Sequence, residues 1–299
     1  MIVDQIFLIF AAFSLAGWVY ECTYCTFKTG HWQNRGFLYG PVCPIYGSGV
    51  AIAYLIFCIL PTYLPSMNSL MDSPWWVVFL VSALGSAVLE FGTSWVLERF
   101  FHAVWWDYSD IPFNIQGRIC LPATCAFGVA GVLLTKFVFP WLNDVVAASN
   151  PLLAELLTIV AVFVLSADFA LTVASLTSIL TKMEESQKSF DNRAEQGVAL
   201  VQQGPAAVAT AVAGAATAGV SKLADAAAER LEAPTEEEMN ERFNSFISQL
   251  SKRDRYHFGS IERFTESDSK AVYKRLQDRF RALQDKLGKP EDRQVEKRG

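Results

Sequence analysis

Three carboxylates, Glu21, Glu90 and Asp168, stand inside stretches that are otherwise apolar. A charge at the centre of a bilayer-spanning helix costs about 2.5–3.5 kcal/mol even on the lenient insertion scale. Such residues persist when they are paired or when they line a polar cavity. Two arginines, Arg35 and Arg118, precede apolar stretches and are the simplest partners for the acids. Asn114, in the loop before Arg118, completes a candidate polar cluster of Glu21, Arg35, Glu90, Asn114, Arg118 and Asp168. Acid–arginine pairs in such a cluster either lock loops onto helices or form an ion or ligand site. With the arginines as an anion clamp and a glutamate as general base, the same residues also fit catalysis on an anionic substrate.

These side chains need helices to position them. Five apolar runs, at about 5–27, 42–64, 75–98, 120–141 and 152–181, are long enough to span a bilayer as helix. The first lacks a basic leader and a small-residue cleavage site and reads as a retained helix. Helical spacing places Ser14, Gly17, Glu21 and Cys25 on one stripe and Ser86, Glu90 and Ser94 on another. Stripes of small and polar residues face protein, not lipid.

The chain also reads as containing a unit twice. The stretch Arg35-Gly-Phe-Leu-Tyr-Gly-Pro-Val-Cys-Pro-Ile-Tyr-Gly47 lies against Gly117-Arg-Ile-Cys-Leu-Pro-Ala-Thr-Cys-Ala-Phe-Gly128 without gaps. Gly36 then meets Gly117, Pro41 meets Pro122, Tyr46 meets Phe127 and Gly47 meets Gly128. Upstream, Glu21 and Glu90 occupy matching helices. The expectation is a pair of two-helix units, 5–64 and 75–141, related by an axis along the membrane normal, with a fifth helix at 152–181. The stretch opening each second helix reads as a loop folding back toward the membrane, its irregular backbone buried in protein or lining a cavity.

Charge divides the chain. Up to Thr181 it holds five basic and ten acidic residues, and the remainder holds 20 of each. The net charge of −5 lies in the membrane-like half, which excludes a nucleic-acid-binding reading. The loops at 28–41 and 99–119 carry all the basic loop residues, and those at 65–74 and 142–151 carry none. The positive-inside rule then predicts a multi-pass plasma-membrane protein with its N-terminus outside and its C-terminus in the cytoplasm.

Of six cysteines, Cys22 and Cys25 have CxxC spacing but lie near the inner end of the first helix, in a reducing compartment, and Cys43, Cys58, Cys120 and Cys125 sit in apolar settings where cysteine acts as a small hydrophobe. No second CxxC or histidine pair at ligand spacing accompanies them, so neither a metal nor another cofactor is expected. The sequence shows no GxSxG, HExxH or Walker A pattern. No catalytic residue is assigned, and the reading leans away from an enzyme. The aromatic run Trp105-Trp106-Asp107-Tyr108 reads as an interfacial anchor.

The motifs Trp106-Asp107-Tyr108-Ser109, Pro112-Phe113-Asn114 and Gly117-Arg118-Ile119-Cys120-Leu121, with Glu90 and the Gly36–Gly47 stretch, resemble the signature of the CmpB-type ABC-transporter permeases, a bacterial membrane family. The resemblance covers about residues 5–180. It implies a permease subunit served by a separate ATPase.

The remaining chain is expected to hold an Ala/Gly-rich connector at 182–234 and a helical tail at 235–299. Thr235–Glu238 reads as a capping box. Met239, Phe243, Phe246 and Leu250 form one heptad stripe, and Tyr273, Leu276, Phe280, Leu283 and Leu287 form another, with Arg253–Ser269 as the separator. Such a tail points to docking or homo-oligomerisation. The fold class is therefore an all-α membrane protein of five spanning helices with a cytoplasmic helical tail. Three functions fit it: a transport subunit, a scaffold or signalling protein working through its tail, and a membrane-embedded enzyme acting on a lipid-linked or anionic substrate.

Overall fold

The computed structural model describes residues 2–30, 36–64, 70–202 and 244–264. Five helices are long and apolar enough to cross a membrane: Ile2–Phe27, Pro44–Tyr63, Trp75–Phe101, Leu121–Ala148 and Pro151–Met183. They are numbered here as spans one to five. The chain divides into two compact units, Met1–Leu176 with Tyr256–Gly299, and Thr177–Arg255.

In the first unit, helix α1 (Ile2–Thr29) packs along α2 (Pro44–Tyr54), which continues through a π-helical turn (Leu55–Ile59) into α3 (Leu60–Tyr63). Helix α4 (Trp75–Phe101) packs in the same way along α5 (Leu121–Leu133), which passes through a π-helical turn (Leu134–Val138) into α6 (Phe139–Ala148). Each second helix begins with a proline in its first turn, Pro44 or Pro122, where the missing N–H is harmless. Later in each comes a proline inside the apolar run, Pro61 or Pro140. A proline ring clashes with the carbonyl four residues back. The π-helical turns lie on that preceding stretch and widen it, so each span continues past its proline.

Close packing within each pair depends on glycine. A Cβ at Gly47 would meet the Phe10 carbonyl and the Ser14 hydroxyl of α1, and one at Gly128 would meet the Phe79 ring and the Ala83 methyl of α4. Spans one to four share an apolar core of Ile9, Val50, Tyr54, Phe57, Val78, Phe139 and Leu142. The Tyr54 hydroxyl donates to Asn143 Oδ1 at 2.6 Å beside it. At the same end, the Lys136 ammonium is satisfied by the carbonyls of Met71 and Ser73 (2.5 and 2.8 Å).

The opposite end holds the irregular segments. After α4, His102 closes the helix in the left-handed region, at φ 48°. Strands β2 (Asn114–Ile115) and β3 (Ile119–Cys120) form a hairpin with a three-residue loop, in which Gln116 and Gly117 take positive φ of 55° and 68° and the Arg118 N–H donates to the Ile115 carbonyl at 3.0 Å. Strand β1 (Ala103–Val104) pairs antiparallel with β4 (Arg263–Phe264).

Arg253–Ser269, expected as a separator between two heptad helices, instead contributes helix α8 (Lys252–Ser260) and β4. Its Tyr256 hydroxyl donates to the carbonyls of Gly36 and Leu38 (3.4 and 3.2 Å). Helix formation was hidden by the absence of an apolar stripe, and side-chain capping supplies the start. Within the second unit, Ser251 and Asp254 exchange hydrogen bonds at 3.1 Å in each direction, a capping box. Asp254 also pairs with Lys182 at 3.0 Å. Of the first heptad stripe, Phe246 and Leu250 are buried. The capping box at Thr235–Glu238, most of the connector and the whole second stripe lie outside the described residues. Helix α7 runs from Pro151 to Gln202.

Candidate functional site

The inward stripes of α1 and α4 bring their carboxylates to the end of the unit that carries the irregular segments. Ser14, Gly17 and Cys25 are buried on α1, as are Glu90 and Ser94 on α4. The Tyr46 hydroxyl, one turn into α2, donates to Glu21 Oε1 at 2.5 Å. Glu21 Oε2 faces the Cys25 thiol at 3.9 Å, a weak contact. The Tyr108 hydroxyl donates to Glu90 Oε1 at 2.9 Å. Glu90 is only 6% exposed, and its Oε2 is buried without a hydrogen-bond partner among the described residues.

Burial pushes the Tyr108 phenol well above its ordinary range, the negative charge of Glu90 adds to the shift, and Glu21 contributes to it as well. Tyr108 therefore remains an O–H donor at neutral pH, and both acids act on it. Between the helix pairs, the Tyr46 and Phe127 rings approach with centroids 6.2 Å apart, and Tyr20 meets Tyr46 edge-on at 6.0 Å.

The arginine expected beside these acids is engaged elsewhere. Arg118 pairs with Glu98 at 2.5 Å, reaches Ser94 Oγ at 3.4 Å and lies 5.5 Å over the Phe91 ring. Glu98 follows Glu90 by about two helical turns on the same helix and so lies nearer the loop that carries Arg118. Arg35 lies outside the described residues. Asn114 is turned into its own loop, where its amide donates to the carbonyls of Ser109 and Ile111 (3.2 and 2.7 Å) and its oxygen accepts the Gly117 N–H at 3.1 Å. Asp168, on span five, accepts the Gly40 N–H at 2.8 Å and so ties the first irregular stretch to that helix. That stretch also reaches α1, where the Cys43 N–H donates to the Ser14 carbonyl at 2.9 Å.

Sequence reasoning missed both tyrosines as carboxylate partners. Tyr108 was placed in an interfacial anchor, whereas its run turns inward. Trp105 is buried against Phe37 and Phe101, and Trp106 Nε1 donates to the Arg118 carbonyl at 3.0 Å. The available signal was the repeat comparison itself, in which Tyr46 faces a phenylalanine that cannot donate. A second donor had to come from another position if Glu90 was to be satisfied. None of the six cysteines forms a disulfide. Among the described residues no group of three or more His, Cys, Asp or Glu side chains stands at metal-binding distance.

No match emerged among curated proteins or among solved structures. A family model described as "Putative ABC-transporter type IV" matches residues 8–173, which take in spans two to four, most of spans one and five, both glutamates and both tyrosines. That match covers more than half of the chain, which therefore belongs to this family of ABC-transporter-type membrane proteins.

Proposed function

We propose that this chain is the permease-type subunit of a transporter driven by a separate ATPase, with Glu21 and Glu90 at its working site. The single observation behind the reading is a pair of interior carboxylates, each steadied by one tyrosine, with no arginine on either among the described residues. A pair serving only as a structural lock would be neutralised by a nearby cation. The sequence carries no Walker A pattern, so ATP binding falls to a partner.

The site lies between two tandem hairpins in this reading, 5–64 and 75–141. The separation that relates Glu21 to Glu90 also relates Phe10 to Phe79 and Ser14 to Ala83, the residues on which Gly47 and Gly128 pack. Equivalent residues near a two-fold axis touch each other, as Tyr46 and Phe127 do. The loop charges put the N-terminus outside and the carboxylates toward the cytoplasm. We divide the chain into a membrane part at 1–181, a connector at 182–234 and a tail at 235–299 that serves docking or self-association.

The test is to purify the tagged full chain from native membranes in mild detergent and to measure ATP hydrolysis. A Walker-type ATPase should co-purify, with hydrolysis altered by Glu21→Gln and Glu90→Gln. A folded chain free of any ATPase partner, with both variants silent, contradicts the transport reading. A scaffold role is the second reading, favoured by the seating of Tyr256 on the Gly36 and Leu38 carbonyls. The enzyme reading finds less support, because the Arg118 guanidinium is already engaged by Glu98.

A further inference from the structure

We propose that residues 256–264 form a releasable clasp across the irregular loops that follow spans one and three, and that its release admits water between those loops. The clasp does not depend on the transport reading. One short segment of the tail reaches the backbone of both loops. On the first, the Tyr256 hydroxyl donates between the Gly36 and Leu38 carbonyls (3.4 and 3.2 Å), and its ring meets Tyr39 edge-on at 5.2 Å. On the second, β4 pairs antiparallel with β1, and the Glu262 N–H donates to the Val104 carbonyl at 2.7 Å.

The loops so joined are dry and incompletely satisfied. Leu38 and Cys43 are buried in the first, and Ala103, Val104 and Trp105 in the second. The Phe37 ring meets Trp105 at 5.4 Å and carries the contact from one loop to the other. Trp105 Nε1 is buried with no acceptor among the described residues. A buried donor without an acceptor is costly, and water would satisfy it. The closed loops therefore hold a group that gains a partner when water enters.

The attachments are of a kind that opens without unfolding the spans. The strand pair is two residues long and the Tyr256 hydrogen bonds are long ones, whereas spans one to four share an apolar core. Segments with few such ties open locally, at free energies well below that of global unfolding. Phe258 and Ile261 of the same segment are buried, which makes the closed form the resting one.

Two native thiols report on the loops. Cys43 stands where the first loop meets α2 and Cys120 lies in β3, and both are buried. Cys58, beside Met71 toward the other end, serves as the control. The full chain in nanodiscs is treated with a water-soluble maleimide at neutral pH, and modification of each cysteine is followed by peptide mass. Glu262→Pro removes the N–H that joins the clasp to Val104, and Tyr256→Phe removes the hydroxyl that joins it to the first loop. Each variant should speed labelling of both Cys43 and Cys120, by about tenfold for one lost hydrogen bond, and leave Cys58 unchanged. Acceleration confined to the loop whose own bond was removed would mean two separate contacts and no clasp. Unchanged labelling at both thiols would mean that the segment rests on the loops without closing them. If Cys58 also accelerates in Glu262→Pro, the proline has unfolded the chain, and Tyr256→Phe, the milder change, decides between the same outcomes.

Discussion

The two helix pairs solve one problem by different means. In the first, Glu21 receives its hydroxyl from across the pair, where Tyr46 rises from α2. In the second, position 127 is phenylalanine, and Glu90 receives its hydroxyl from Tyr108 in the loop that follows its own helix. The first irregular stretch is pinned to helices, Cys43 to Ser14 and Gly40 to Asp168. The second folds on itself through the β2–β3 hairpin and Asn114. A buried carboxylate needs a donor wherever the chain can supply one, and similar helix frames permit different suppliers.

The largest effect should come from the packing glycines. Gly47→Ala drives a methyl against the Phe10 carbonyl, which the helix holds in place, whereas Gly128→Ala meets the Phe79 ring, which can turn. Overpacking costs about 1–3 kcal/mol and occasionally more. Gly47→Ala is expected at or above the top of that range and Gly128→Ala near the bottom, read from unfolding of the detergent-purified chain. Equal losses would remove the distinction between the two packing surfaces.

Next in size is Arg118→Ala, which leaves Glu98 unpaired and frees the loop from Ser94 and the Phe91 face. Both members of the pair are partly exposed, so the loss should be about 1–3 kcal/mol, below the 3–5 kcal/mol of a fully buried pair. Proteolysis within 103–120 should become faster. Unchanged cleavage would mean that the hairpin holds without its arginine.

Removing single hydroxyls separates the two carboxylates directly. Tyr108→Phe strips the one donor of a nearly fully buried acid and should cost about 1–3 kcal/mol. Tyr46→Phe should cost less, because Glu21 is more exposed. The reverse order would assign the tighter site to the first pair.

A pH titration gives a further check. In the unfolded chain tyrosine ionises near pH 10. Tyr108 and Tyr256 are both held above that value in the fold, chiefly by burial. Their contribution to stability is complete below about pH 10 and is lost above it, as the unfolded chain ionises and the folded chain resists. Tyr256→Phe and Tyr108→Phe should each flatten that alkaline fall.

The spans were legible in the sequence because apolar length is a one-dimensional property. The five expected runs and the five helices nearly coincide. The inward stripes through Glu21 and Glu90 were legible for a similar reason, since helical period alone places Ser14 and Ser94 beside them. Partner choice was not. Arg118 pairs with Glu98 because of where its hairpin lies against α4, and that depends on a turn of two residues with positive φ. The π-helical turns ahead of Pro61 and Pro140 were hidden, because proline signals an interruption without saying how the helix absorbs it. Helix α8 was hidden as well, since a capping box gives a start without an apolar stripe.

The central claim is that Glu21 and Glu90 occupy one shared site between the helix pairs, and a double-mutant cycle tests it most directly. Glu21→Gln, Glu90→Gln and the combined variant are compared with the parent chain by equilibrium unfolding in the same detergent. Carboxylates that feel each other should give non-additive changes, with a coupling of about 0.5–3 kcal/mol, because removing either charge relieves the other. Additivity within about 0.3–0.5 kcal/mol, the behaviour of independent sites, would mean that the two acids do not share an environment and would contradict the account.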